Sequence, residues 1–180
     1  SVTPAAAPGR NGADGGVYAV YGVGADDRNG NVWVTNTRQN TVAVYKQSDL
    51  SLVKQFDAGT VVHARDVVID TTLDRAFASA TGTPNIAVFD AKALAFTKNI
   101  EIKSTVRGEN FSVGSLHLDP AVHKLYAVSL STNEAAVIDG KTETVEKVFP
   151  VEGAKSAIGV AHDPKTCLLY TSDAADDSLR

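Results

Sequence analysis

Four aspartates, Asp26, Asp70, Asp119 and Asp163, recur along the chain at spacings of 44, 49 and 44 residues. Six residues after each of the first three a β-rich run begins: Val32-Trp33-Val34-Thr35-Asn36, Ala76-Phe77-Ala78-Ser79-Ala80 and Leu125-Tyr126-Ala127-Val128-Ser129. Fifteen residues after each a second run begins, at Thr41, Asn85 and Glu134. Within that run Ala43, Ala87 and Ala136 are equivalent, as are Val44, Val88 and Val137, and the next position is bulky each time (Tyr45, Phe89, Ile138). Agreement in register across three units defines a repeating supersecondary unit and so constrains the fold more than any single motif.

Each unit holds four strand-length runs. The first ends at the aspartate, as in Val67–Asp70 and Leu116–Asp119, and the fourth is the more polar run at 51–56, 95–100 and 144–149. Turn residues separate the runs, among them Asp27-Arg28-Asn29-Gly30, Asp119-Pro120 and Asp139-Gly140. The middle runs are apolar on both faces, as in sheets flanked by other sheets. The fourth alternates apolar and polar, as a solvent-facing outer strand does. Four strands in about 45 residues describe a propeller blade. The expected fold is all-β: a β-propeller fragment over 17–166, with three four-stranded antiparallel blades (about 17–57, 64–101 and 112–149) and the start of a fourth from 157.

The segment Val32-Trp33-Val34-Thr35-Asn36-Thr37, followed by Asn40-Thr41-Val42-Ala43-Val44, resembles the YVTN repeat of seven-bladed propellers. The stretch from Tyr18 to Thr166 is similar to the YncE-like branch of that family, although the later units lack the Thr-Asn pair. The resemblance implies a ring of seven blades of which this chain supplies about half. The first and last blades would then each lack a neighbour, and self-association is expected.

Both ends differ from the repeat. Residues 1–16 are rich in Ala, Pro and Gly and read as a flexible lead-in, typical of a mature exported chain or a linker. No basic segment followed by an apolar one marks a signal peptide. From Cys167 to Asp176 every residue agrees with one reading frame of a transposase-based sequencing adapter, so 167–180 is read as a non-native tail. The alternative is a native strand through Leu169-Tyr170-Thr171, where the repeat would place one.

Composition narrows the function classes. A net charge of -4 gives no global pull toward nucleic acid, although a local basic patch is compatible with it. One cysteine excludes an intrachain disulfide framework and a multi-cysteine metal site. No apolar run reaches the roughly 20 residues of a membrane-spanning helix.

Chemistry-bearing residues are sparse. The repeated aspartates each close a strand and open a turn, a capping role. The four histidines, His63, His117, His123 and His162, form no zinc-type pair. Gly22-Val23-Gly24 lacks the third glycine of a dinucleotide loop, and no Gly-x-Ser-x-Gly elbow is present. No catalytic set, metal site or cofactor motif is assigned. The connections that enter each first strand, together with the turns between second and third strands, are mildly basic and amide-rich, with Asp57, Glu109, Glu134 and Glu152 as their fewer acids; His63, Arg65, Arg107, Asn110 and Lys155 are the candidate ligand-binding residues there. Such a face suits an anion through charge-assisted hydrogen bonds. Phe111 beside Arg107 is the candidate stacking pair, and Arg65-Asp66 a candidate ion pair between blades. Asn110-Phe111-Ser112 also matches a glycosylation sequon.

The resemblance implies a non-catalytic binding or scaffold protein of the periplasm or extracellular space, with single-stranded DNA or another anion as ligand. The alternative is a lactonase-type propeller hydrolase built on His63, Arg65 and Glu109. A haem-d1-type electron-transfer propeller would need His63 as its axial ligand.

Overall fold

The computed structural model describes residues 20–152 and the strands 157–163 and 168–173. β1 (Val20–Asp26), β2 (Asn31–Asn36), β3 (Thr41–Lys46) and β4 (Leu52–Gln55) form a first antiparallel meander. β5 (Ala64–Asp70), β6 (Arg75–Ala80), β7 (Asn85–Asp90) and β8 (Ala95–Glu101) form a second. A third comprises β9 (Val113–Asp119), β10 (Lys124–Ser129), β11 (Glu134–Asp139) and β12 (Thr144–Pro150). β13 (Ala157–Asp163) pairs antiparallel with β14 (Leu168–Asp173), which falls in the run read as a non-native tail. There is no helix among the described residues. The lead-in 1–16 lies outside them.

The first strands β1, β5, β9 and β13 pack against one another in order, while the fourth strands barely meet. The sheets therefore radiate from an inner edge as blades do. Alternation along each strand splits the apolar residues into two faces. Trp33, Val42, Val44 and Phe56 on the first blade pack against Ala64, Val67, Ala76, Ala78 and Phe89 on the second. The equivalent positions repeat at the next seam: Phe77, Ile86, Val88 and Ile100 meet Val113, Leu116, Leu125, Ala127 and Ile138. The bulky residue near the end of the third strand, Phe89 in the second blade and Ile138 in the third, thus faces the preceding blade. Trp33 stacks on Phe56 (5.8 Å) and meets the edge of Phe89 (5.4 Å), so aromatic area dominates the first seam.

The repeated aspartates cap their turns as expected. Asp26, Asp70 and Asp119 are buried. Each carboxylate accepts a backbone N–H just beyond it, from Asn29 (3.2 Å), Leu73 (3.1 Å) and Ala121 (3.1 Å) respectively. They also join neighbouring blades. Asn29 Nδ2 bridges Asp26 (2.8 Å) and Asp74 (2.9 Å), and His123 Nδ1 lies 2.6 Å from Asp70 Oδ2. Arg28 donates to the carbonyls of Thr71 and Thr72, and Arg75 to those of Gly140 and Lys141.

Two irregularities recur at fixed positions. Every first strand carries a bulge a few residues before its aspartate, between Val20 and Val23, Ala64 and Val67, and Val113 and Leu116. Every fourth strand carries another opposite the third, at Val53, Thr97 and Glu146. A bulge frees an amide, and a hydroxyl on the second strand collects it: Thr35 Oγ1 accepts from Gly22 N (2.7 Å) and Ser79 Oγ from Asp66 N (2.9 Å). Thr35 also donates to the carbonyl of Arg65 on the next blade (2.9 Å). The Thr of Val-Thr-Asn is therefore a joint between strands and between blades.

Gly22-Val23-Gly24 lies in β1. A Cβ on Gly22 would stand 2.2 Å from the Arg65 carbonyl oxygen, and one on Gly24 would stand 2.8 Å from that of Val67. The two glycines let the inner strands of adjacent blades touch backbone to backbone.

Candidate functional site

The second-to-third-strand turns and the connections between blades share one edge of the arc, and His63, Arg65, Arg107 and Asn110 lie on or next to it. Asn40, in the left-handed region (φ 54), organises the connection 56–63. Its carbonyl accepts the N–H groups of Gly59 (2.8 Å) and Val61 (3.1 Å), and its Oδ1 that of His63 (2.7 Å). His63 is exposed at the end of this connection.

Arg65 lies inside β5 rather than in the connection where it was expected. It makes no ion pair with Asp66. Its guanidinium lies over the Tyr21 ring, 4.9 Å from the centroid, and Nη2 donates to the Tyr21 hydroxyl (3.0 Å). Tyr21 and Arg65 both stand five residues before their aspartates, so the repeat places them side by side on neighbouring inner strands. Asp66 points the other way and accepts Leu116 N of the third blade (3.0 Å). Burial pushes the Asp66 carboxyl up, outweighing the Leu116 N–H and the Arg65 charge, which pull it down. Arg65 Nε and Ser115 Oγ of β9 are buried with no hydrogen-bond partner among the described residues.

The spacing of 49 arises in the longer connection 102–112. Glu134, expected as one of the rim acids, is fully buried and clasps it. Its carboxylate accepts Ser104 Oγ (2.6 Å), Thr105 N (2.9 Å) and the Thr105 hydroxyl. Burial alone would push this carboxyl up, but those donors together hold it below the ordinary carboxylate range. Ser131 Oγ donates to the Asn110 carbonyl (3.0 Å) from the far side of the loop. Arg107 and Asn110 remain exposed. Phe111 is buried in the core between the second and third blades, so it cannot stack with a ligand beside Arg107. The exposed ring beside Arg65 is that of Tyr21 on β1, ahead of the first connection. Lys155 lies outside the described residues.

The opposite edge carries an open concavity of about 620 Å³, lined by Asp74, Arg75, Phe89, Lys92 and Glu143 among others. Several of its charges pair across the seams: Glu143 with Arg75 (3.4 Å) and Lys98 (3.2 Å), and Asp74 with Arg28 (3.7 Å). No group of three metal-ligating side chains occurs among the described residues. No helix there is long and apolar enough to cross a membrane.

No protein-family model matches the chain, and no curated protein sequence matches it. Solved structures do. Hydrazine synthase of Kuenenia stuttgartiensis is similar at 14% identity and a TM-score of 0.67, over 81% of this chain and 41% of that one. Dihydro-heme d1 dehydrogenase NirN aligns at 16% identity and a TM-score of 0.69, covering 88% and 33%. A streptogramin B lyase aligns at 13% identity and a TM-score of 0.67, covering 86% and 48%. These neighbours are β-propellers, and the present fold is an arc of β-propeller blades. The chain spans between a third and a half of the length of each.

Proposed function

We propose that the chain belongs to an exported, non-catalytic propeller of the YVTN type that binds an anionic ligand carrying stackable rings, single-stranded DNA being the first to test. The observation that supports this reading is the Tyr21–Arg65 pair: an exposed ring under a guanidinium, on adjacent inner strands. Single strands are held by aromatic platforms beside cations, and one stacked base contributes about 1–3 kcal/mol. His63, Arg107 and Asn110 supply an exposed rim, and Lys155 is the sequence's further cation. The lactonase-type alternative needs His63, Arg65 and Glu109 to converge; Arg65 lies within β5, whereas His63 and Glu109 are exposed on two different connections.

The test is a fluorescence-anisotropy titration of the full chain with labelled oligothymidylate and, in competition, with inorganic phosphate, at low and moderate salt. Binding should weaken with salt. Tyr21→Ala and Arg65→Ala should each cost at least about tenfold, as loss of a stacked base or a charge-assisted contact of about 1.5–3 kcal/mol implies. Absence of binding, or binding indifferent to Tyr21, Arg65, Arg107 and Lys155, would overturn the reading.

A further inference from the structure

We infer that Asn29-Gly30 is a site of spontaneous deamidation, and that the seam between the first two blades keeps it unreacted while closed. Asparagine is a thermolabile residue, and most so before glycine, where no Cβ shields the next backbone nitrogen from its side-chain amide. The chain has two such dipeptides, Asn11-Gly12 and Asn29-Gly30. Asn29-Gly30 lies half-buried in the turn between β1 and β2. Gly30 is in the left-handed region (φ 67), with nothing within 4 Å of the place a Cβ would take. The Gly30 nitrogen adds to Asn29 Cγ and loses its proton, while Nδ2 leaves as ammonia and a cyclic imide forms. Water then opens the imide, leaving aspartate by attack at the side-chain carbonyl or isoaspartate by attack at the main-chain carbonyl.

The closed seam withholds the amide from this path. Asn29 Nδ2 donates to Asp26 Oδ2 (2.8 Å) on its own blade and to Asp74 Oδ1 (2.9 Å) on the next. Asp26 is fully buried, and its Oδ1 accepts the Asn29 N–H (3.2 Å), so one carboxylate fixes both the main chain and the side chain of Asn29. Arg28 in turn pairs with Asp74 (3.7 Å). Ring closure turns the amide away from both acceptors, and hydrogen bonds to charged acceptors are the stronger kind. The reaction therefore proceeds through the fraction of molecules in which this seam is open. Its product inverts the role of the residue. A carboxylate at position 29 has no proton to donate and faces Asp26 and Asp74 with like charge. Loss of the amide thus hinders reclosure, and the change accumulates in one direction. At the second seam the bond to Asp70 comes from His123, which has no amide to lose.

This inference does not depend on the ligand reading. It is tested by incubating the full chain, folded and in urea, at mildly alkaline pH and quantifying aspartate and isoaspartate at position 29 by peptide mass spectrometry. Asn11-Gly12, outside the described residues, serves as the reference dipeptide in the same samples. Asn29 should react at least about tenfold more slowly in the folded chain than in urea, the factor that one charge-assisted hydrogen bond supplies. Asp74→Gly removes the acceptor on the second blade, and glycine suits the left-handed φ of that position (51), so the turn is kept. This variant should recover most of the rate seen in urea. Asp74→Asn keeps an acceptor oxygen and should stay near the parental rate. Asn29→Asp, the product made directly, should melt below the parent. Equal rates in the folded and unfolded chain, an Asp74→Gly variant no faster than the parent, or an Asn29→Asp variant that melts with the parent would each overturn the inference.

Discussion

Gly22→Ala should be among the most damaging single-methyl additions in this chain. The new Cβ would stand 2.2 Å from the Arg65 carbonyl oxygen. Ordinary van der Waals contact begins at about 3.4 Å, so the inner strands of the first two blades must part by about 1 Å. Both partners are main chain, and no side chain can swing aside. Overpacking of this kind costs about 1–3 kcal/mol. The same carbonyl accepts the Thr35 hydroxyl at 2.9 Å, and losing that hydrogen bond adds about 1 kcal/mol. The expected loss is therefore about 2–4 kcal/mol, a fall in melting temperature of about 5–15 °C for a chain of this size. Thermal and urea unfolding, followed by circular dichroism and by the fluorescence of buried Trp33, would measure it. Gly24→Ala, with its Cβ 2.8 Å from the Val67 oxygen, should cost less. A Gly22→Ala protein within about 0.5 kcal/mol of the parent, the range of a bland surface change, would refute the backbone-contact reasoning. So would a Gly24→Ala protein that is the weaker of the two.

Three further outcomes are expected. Glu134→Gln should destabilise by about 1–3 kcal/mol by leaving buried donors poorly matched; because the folded carboxyl is held low, the clasp operates above the ordinary glutamate range and is lost as pH falls, so parent and variant should converge in acid unfolding curves. Asp66→Asn should stabilise by up to about 1 kcal/mol at neutral pH, since burial raises this carboxyl and disfavours its charged form, while an amide oxygen can still accept Leu116 N; the gain should vanish below about pH 4, where the parent is protonated in both states, and urea titrations at pH 7 and pH 3.5 would show it. Leu50→Gly should raise stability by about 0.5–1 kcal/mol in thermal melts, because Leu50 is solvent-exposed at φ 59, where a side chain costs about 1–2 kcal/mol and the glycine's greater unfolded entropy takes back part of the gain.

The blade plan was legible because it rests on periodicities that side chains report directly: an aspartate that caps each turn, alternation along each strand, and a bulky residue at one equivalent position. The bulges were not, since they belong to the pairing of two backbones. Their trace in the sequence is the hydroxyl nine residues after the aspartate, Thr35 and Ser79, and even that trace is missing at Val128. The site was read less well. Treating connections as solvent-exposed misplaced Phe111, because a connection as long as 102–112 can dip into the core and return. Glu134 looked like a rim acid because its partners, Ser104 and Thr105, are some thirty residues away. Tyr21 was findable: counting backward from the aspartates, as well as forward, aligns it with Arg65.

The polar links along the edge that carries the aspartate turns have a dynamic consequence. Arg28, Asn29, Asp70 and Arg75 each reach the adjoining blade and no farther. Opening then becomes a local affair governed by nearest neighbours, with the ends fraying first. The middle blade can open only by breaking two seams at once. Its β6 and β7 amides should be the last to exchange with deuterium, ahead of which β1 and β2 would have given up theirs.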